Sequence, residues 1–205
     1  MRMLFFLVLV GMIASCGKKH TVHIKAVNPV TGQVYVGLKY RISQEKTTLW
    51  DEKTKIIASG ELNENGEANA TFRRGNNPIR VQVEWPSNCC YSKNDVYYIK
   101  GDGPNHEVLV EFAECAYLKL NIINVNCQGG GDIMKFRSKY PYTEWQNWSG
   151  DRTGCYAYTS PYPFEVPAGW RVYEWRVNRN GVITNYIDSI YLISGADNGT
   201  FDMEY

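Results

Sequence analysis

Histidines, cysteines and paired carboxylates are the residues of this chain whose types allow nucleophilic, acid–base or metal chemistry. The three histidines are His20, His23 and His106. His23 alternates with Val22, Ile24 and Ala26, so it points out of a strand, and His20 lies four residues after Cys16; neither has a serine or cysteine partner in reach of its own element, so both read as solvated surface. No G-x-S-x-G elbow, phosphate loop or H-E-x-x-H helix is present. Asp51-Glu52, and Asp188 with Glu174, have the chemistry of glycosidase carboxylates, but nothing in their positions brings them together. Asp197-Asn198-Gly199 and Asn63-Glu64-Asn65-Gly66 are oxygen-rich enough for calcium and read first as turns. The expectation is a chain with no catalytic residues, no metal and no cofactor, hence not an enzyme.

One segment has a distinct character. Tyr140-Pro141-Tyr142-Thr143-Glu144-Trp145-Gln146-Asn147-Trp148-Ser149-Gly150-Asp151 sets four aromatics among amides and carboxylates. Flat rings beside such groups suit a sugar or a partner protein, and loops carry function more often than cores. Tyr140, Tyr142, Trp145 and Trp148 are therefore the candidate contact residues, with Trp145 and Trp148 at least partly exposed; the other reading folds the rings back onto the body of the protein.

Of six cysteines, Cys16 stands apart. One positive charge, Arg2, precedes the apolar run Leu4–Val10, and the small residues Ala14-Ser15 lie directly before Cys16: the layout of a secretory signal. The run is shorter than the roughly 20 residues a spanning helix needs. Ile13-Ala14-Ser15-Cys16 resembles the lipobox of bacterial lipoproteins. That resemblance implies a diacylglyceryl thioether on Cys16 and cleavage before it, giving a signal peptide 1–15 and a short tether 16–20. It also implies membrane attachment through the lipid, and Gly17, with no acid beside the anchor, implies the outer membrane. Gly17-Lys18-Lys19-His20 lacks the acidic run that many Bacteroidota surface lipoproteins carry, so the periplasmic and surface orientations both stay open.

An exported chain meets an oxidising compartment, where disulfides form. Cys89, Cys90, Cys115, Cys127 and Cys155 are odd in number, so at least one stays outside any internal bridge. Cys89-Cys90 are adjacent, with no histidine near them, which argues against zinc. The expected split is one bridge in each half: Cys115 with Cys89 or Cys90, and Cys127 with Cys155. Each closes a loop of roughly 25–30 residues and contributes on the order of 3 kcal/mol. Five buried thiols are the alternative.

These groups need a scaffold, and its pattern is period two. Val34, Val36, Leu38, Tyr40 and Ile42 alternate with polar residues, as do Ala68, Ala70 and Phe72, and Ile79, Val81, Val83 and Trp85. With Val22–Val27, Lys55–Glu61, Val96–Lys100 and Glu107–Ala113 this makes about seven short strands before residue 115, as in a β-sandwich. Asn28-Pro29, Asn65-Gly66, Gly75-Asn76-Asn77-Pro78 and Gly101-Asp102-Gly103-Pro104 supply the turns. A second set follows: Leu118–Ile122, Ile133–Ser138, Trp170–Val177, Val182–Ile187 and Phe201–Tyr205, with Asn178-Arg179-Asn180-Gly181 as a hairpin signal. The expected fold is all-β: two tandem sandwiches, 21–114 and 115–205, joined at Glu114-Cys115-Ala116.

Val27-Asn28-Pro29-Val30-Thr31-Gly32-Gln33-Val34 and Gly60-Glu61-Leu62-Asn63-Glu64-Asn65-Gly66-Glu67-Ala68 resemble the opening turn and the later glycine, Asn-Gly and strand signature of the carboxypeptidase-regulatory, transthyretin-like domain. For 21–113 that resemblance implies a sandwich in an accessory role: a spacer, a stabilising module or an interaction surface. The segment Ser87–Tyr98 departs from the pattern, and 116–205 resembles only a generic immunoglobulin-like sandwich.

Composition is consistent with this. Hydrophobic residues make up 44% and charged residues 21% of 205 residues, enough apolar content for packed cores. The 15 Tyr, 6 Trp and 7 Phe suit pleated surfaces. Lys and Arg number 22 against 21 acids, so there is no basic stripe for nucleic acid and no polybasic pull toward anionic lipid. The function expected is a non-enzymatic cell-envelope lipoprotein with a structural or protein-interaction role. The alternative is a glycan-binding surface lipoprotein using loop 140–151.

Overall fold

The computed structural model describes residues 18–47, 52–75, 77–101, 103–195 and 199–205. The signal, Cys16, Asp51, Asp197 and Asn198 lie outside the described residues. No helix occurs among the described residues; the chain is all-β. In order the strands are β1 (Lys19–Val27), β2 (Lys39–Thr47), β3 (Glu52–Glu61), β4 (Glu67–Arg73), β5 (Ile79–Val83), β6 (Cys89–Lys93), β7 (Val96–Tyr98) and β8 (Asn105–Ile123). They are followed by β9 (Ile133–Lys139), β10 (Arg152–Thr153), β11 (Ala157–Thr159), β12 (Phe164–Pro167), β13 (Gly169–Arg179), β14 (Val182–Leu192) and β15 (Gly199–Glu204). The chain divides into two compact units: residues 18–27, 33–85 and 93–111, and residues 28–32, 86–92 and 112–205.

In the first unit, β1 lies between β4, antiparallel, and the start of β8, parallel. A second sheet runs β3-β2-β5-β7. The alternation read from sequence is what packs it: Val22, Ile24 and Ala26 of β1, Ala70 and Phe72 of β4, Ile42 of β2, Ile79, Val81 and Val83 of β5, and Val108 and Val110 of β8 are all buried. Two expectations are corrected here. Residues 34–38 form no strand, only an isolated bridge from Val34 to Val27; Gly37 has φ +74°, off the extended backbone, and Val36 is exposed. The tether expected at 16–20 ends earlier, because Lys19 and His20 already pair with Arg73 and Phe72.

A third correction concerns the junction. Glu114-Cys115-Ala116 lies inside β8, a strand of 19 residues. Its even positions are buried from Val108 to Ile122 except Glu114, which is half-buried, and no glycine or proline interrupts it. Residues Asn105–Glu111 pair with β1; beyond them β8 pairs with β11, β12 and β15 in the second unit.

The second unit sets that sheet against the sheet β10-β9-β13-β14. Leu118, Leu120 and Ile122 of β8, Met134 of β9, Tyr173, Trp175 and Val177 of β13, and Phe201 and Met203 of β15 form one buried cluster. Tyr173 stacks on Phe201 at 4.4 Å and Trp175 on Tyr186 at 5.4 Å. The β13–β14 hairpin turns on Asn180 and Gly181, both at positive φ (52° and 85°), as a two-residue turn between twisted strands requires. Gly169, at φ +100°, admits no side chain, since a Cβ there would lie 2.9 Å from Val30. Disulfides join Cys90 to Cys115 and Cys127 to Cys155. Cys89 stays outside both, its thiol donating to the Tyr91 carbonyl at 2.9 Å.

Candidate functional site

The loop after β9 is held by the edge it follows. The Gln146 and Ser149 amides donate to the Ser138 and Phe136 carbonyls, and the Ser149 hydroxyl accepts from the Phe136 amide. The segment thus satisfies the free edge of β9 before β10 joins it. This places Trp145 and Trp148, both half-buried, on the outer face of the sheet. There Arg137 lies over both indoles, at 4.7 Å from Trp145 and 4.6 Å from Trp148. Lys139 sits over Trp145, and Lys135 and Arg176 over Trp148. Glu174 closes the ladder with a 2.6 Å ion pair to Arg137. Each cation–ring contact at such half-exposed positions contributes about 0.5–1 kcal/mol.

Beside the ladder, the outer face turns apolar. Odd residues of β14 share it with even residues of β13: Ile183 opposite Asn178, Ile187 opposite Glu174, Tyr191 opposite Trp170. Ile183, Ile187, Tyr191 and Trp170 are each about half exposed or more, with Tyr191 edge-on to Trp170 at 5.3 Å. Among the described residues β14 ends its sheet and pairs with β13 alone. Its sequence VITNYIDSIYL contains no lysine, arginine or proline, the residues that usually blunt such an edge.

The other two candidates of the loop point elsewhere. Tyr140 is a correction: it is buried, not a contact residue, because it continues the inward parity of Met134, Phe136 and Ser138. Its hydroxyl accepts from Arg171 at 2.7 Å. Tyr142 is half-buried, stacked on Tyr140 at 5.6 Å and tilted against Tyr91 at 4.9 Å. Burial pushes both hydroxyls above the usual phenol value, so they remain neutral. Tyr91 and Tyr140 border a cavity of about 480 Å³ that Arg171 also lines. Sequence reading passed over Arg171, although its spacing with Tyr173, Trp175 and Val177 marks it as inward-facing.

The remaining chemistry-bearing residues are kept apart. Glu174 pairs with Arg137 on the outer face, whereas Asp188 stands opposite Tyr173 on the inner one. The Asn63 side-chain oxygen accepts the Asn65 and Glu67 amides, as a turn does. Among the described residues, Cys90, Cys115 and Glu165 have donor atoms within 4.8 Å of one another; the bond between the two sulfurs leaves no thiolate for a metal.

His20 is a further correction. It is buried rather than solvated, because it shares the parity of Val22 and Ile24, and it stacks between Phe72 and His106. Its Nδ1 lies 3.2 Å from His106 Nε2. Burial, with His20 and Arg74 adding repulsion, holds His106 below the ordinary imidazole value of 6.5. His23 moves the other way, raised mainly by its hydrogen bond to Glu107. A depressed histidine favours the fold while neutral, so its contribution is present above the unfolded value and lost as pH falls below about 6.5. His23 contributes in the opposite sense, gaining below its raised value. Comparing His106→Phe with the parent separates them: the variant should lose less stability between pH 7.5 and pH 5 in urea titrations. Equal losses would refute the assignment.

No protein-family model matches the chain, and no curated protein is similar to it in sequence. Among solved structures it is similar to the Bacillus anthracis TIE protein, with a TM-score of 0.38 and 15% identity over 92% of this chain and 34% of that one. It is also similar to a streptococcal ancillary pilin (TM-score 0.38, 11% identity, 93% of this chain and 63% of that one). A third is the shaft pilin SpaA of Lactobacillus rhamnosus GG (TM-score 0.37, 9% identity, 91% and 98%). The chain spans about a third of the TIE protein and under two thirds of the ancillary pilin.

Proposed function

We propose that the chain is a lipoprotein of the cell envelope, anchored through Cys16 in the outer membrane, that works by holding a protein partner and not by catalysis. The observation that carries the reading is the outer face of the β9-β13-β14 sheet. There an unblunted edge strand with Ile183, Ile187 and Tyr191 exposed adjoins a half-exposed ladder of Trp145 and Trp148 with four cations. An edge of this kind offers unpaired backbone groups to another strand, and the apolar row beside it offers side-chain contacts. The glycan reading of residues 140–151 draws on the same two tryptophans. Arg137, Lys139, Lys135 and Arg176 take up ring surface that a sugar would stack on, so a protein partner is the better supported ligand.

A photocrosslinking side chain at Ile187 is expected to give a discrete adduct with another envelope protein in cells. Ile183→Lys should abolish that adduct and leave the melting transition nearly unchanged, since Ile183 is exposed. If a crosslinker at Glu64, an exposed turn residue of the first unit, gives the same adducts as Ile187, the reading fails.

A further inference from the structure

Arg171 is 9% exposed, yet no carboxylate lies within ion-pair distance of it among the described residues. Two of the guanidinium's five donors are engaged, by Tyr140 Oη at 2.7 Å and Ser138 Oγ at 3.0 Å. Its Nε has no hydrogen-bond partner. The rings of Tyr140 and Tyr173 each lie 5.1 Å from its central carbon. Rings and hydroxyls soften the loss of water, but they bring no countercharge, and a buried unpaired cation is costly. The hydroxyls of Tyr140 and Tyr173 are not phenolates, as burial keeps them protonated.

Arg171 lines the 480 Å³ cavity, a size that suits a small organic ligand. Phe164, Val166 and Pro167 make another part of that wall apolar. Glu144 and Glu165, both exposed, line it as well. Two acids disfavour a multiply charged anion such as phosphate more than a singly charged one. A planar carboxylate matches the guanidinium fork.

We propose that this cavity is a binding site for a small organic monocarboxylate, its carboxylate held by Arg171 and its apolar body resting on Phe164, Val166 and Pro167. The site is separate from the outer-face surface proposed above, and its test does not depend on that surface.

The test uses phenylacetate, its neutral isostere phenylacetamide, and inorganic phosphate, titrated into the protein by calorimetry. The Arg171 side-chain N–H signals are followed in parallel by NMR. Phenylacetate should bind saturably and shift the Arg171 signals, with phenylacetamide and phosphate at least about tenfold weaker, since a charge-assisted pair is lost or opposed. Arg171→Gln should abolish phenylacetate binding. Because that variant removes a buried network and can fail to fold, Phe164→Ala, at a partly exposed wall position, provides an independent reading: a severalfold weaker affinity with an unchanged melting transition. Equal binding of phenylacetate and phenylacetamide, no saturable binding of phenylacetate, phosphate binding as tightly, or an affinity unmoved by Phe164→Ala would each overturn the proposal.

Discussion

Replacing Cys16 by alanine is expected to move the whole population of the chain from the membrane fraction to the soluble one, or to stop its processing. The argument is chemical before it is structural. Only a thiol can carry a thioether, and Ile13-Ala14-Ser15 before Cys16 resembles the lipobox, whose cleavage would fall directly before that cysteine. In the proposed reading, two acyl chains on Cys16, at about 0.8 kcal/mol per buried methylene, would supply the attachment. The near balance of 22 cationic and 21 acidic residues supplies no polybasic attraction. No helix among the described residues is long and apolar enough to cross a membrane. Fractionation of cells by ultracentrifugation, with intact mass of the mature chain, checks it. A Cys16→Ala protein that matures normally and still sediments with membranes would show that attachment comes from elsewhere.

How far the molecule was legible follows from the physics of each signal. Period-two alternation is local, and it located most of the long strands; the turn residues Asn178-Arg179-Asn180-Gly181 marked the β13–β14 hairpin, which turns on Asn180-Gly181. The pairing of Cys127 with Cys155 was also within reach, because both fall in one half at a separation that closes a moderate loop. Parity held more than was taken from it. His20 shares the inward register of Val22, Tyr140 that of Ser138, and Arg171 that of Tyr173, so each burial was written in the spacing although the polar residue type suggested surface. The misplaced junction has the same origin. Glu114-Cys115-Ala116 offers no turn residue, and the alternation of β8 keeps one parity through it.

What alternation cannot reveal is non-local. Val34, Val36 and Leu38 alternate as well as any strand, yet Gly37 turns the backbone and Val36 finds no partner sheet. The packing of Trp145 and Trp148 depends on Gln146 and Ser149 capping an edge that sequence alone does not show to be free. The exposed edge of β14 is likewise a property of sheet order, since an alternating strand reads alike at the centre and at the rim.

Tyr173→Ala is expected to cost about 3–5 kcal/mol, the largest single stability loss foreseen for the second unit. Tyr173 is 1% exposed. Its ring stacks on Phe201 at 4.4 Å, meets Phe136 at 6.5 Å, and lies in the cluster that both sheets of the unit build. Truncation leaves a cavity walled by β-strands that cannot collapse into it without breaking ladder hydrogen bonds. Tyr173→Phe should behave oppositely. The Tyr173 hydroxyl is buried with no hydrogen-bond partner, and burial pushes its pKa up to about 12, so it stays neutral. Deleting an unsatisfied hydroxyl removes a desolvation cost and leaves the ring under the Arg171 guanidinium. The phenylalanine variant should therefore match or exceed the parent in stability. Urea unfolding followed by tryptophan fluorescence ranks the three proteins. A loss below about 1 kcal/mol for the alanine variant would remove Tyr173 from the centre of this core. A phenylalanine variant as damaged as the alanine one would show that the hydroxyl, not the ring, holds the unit together.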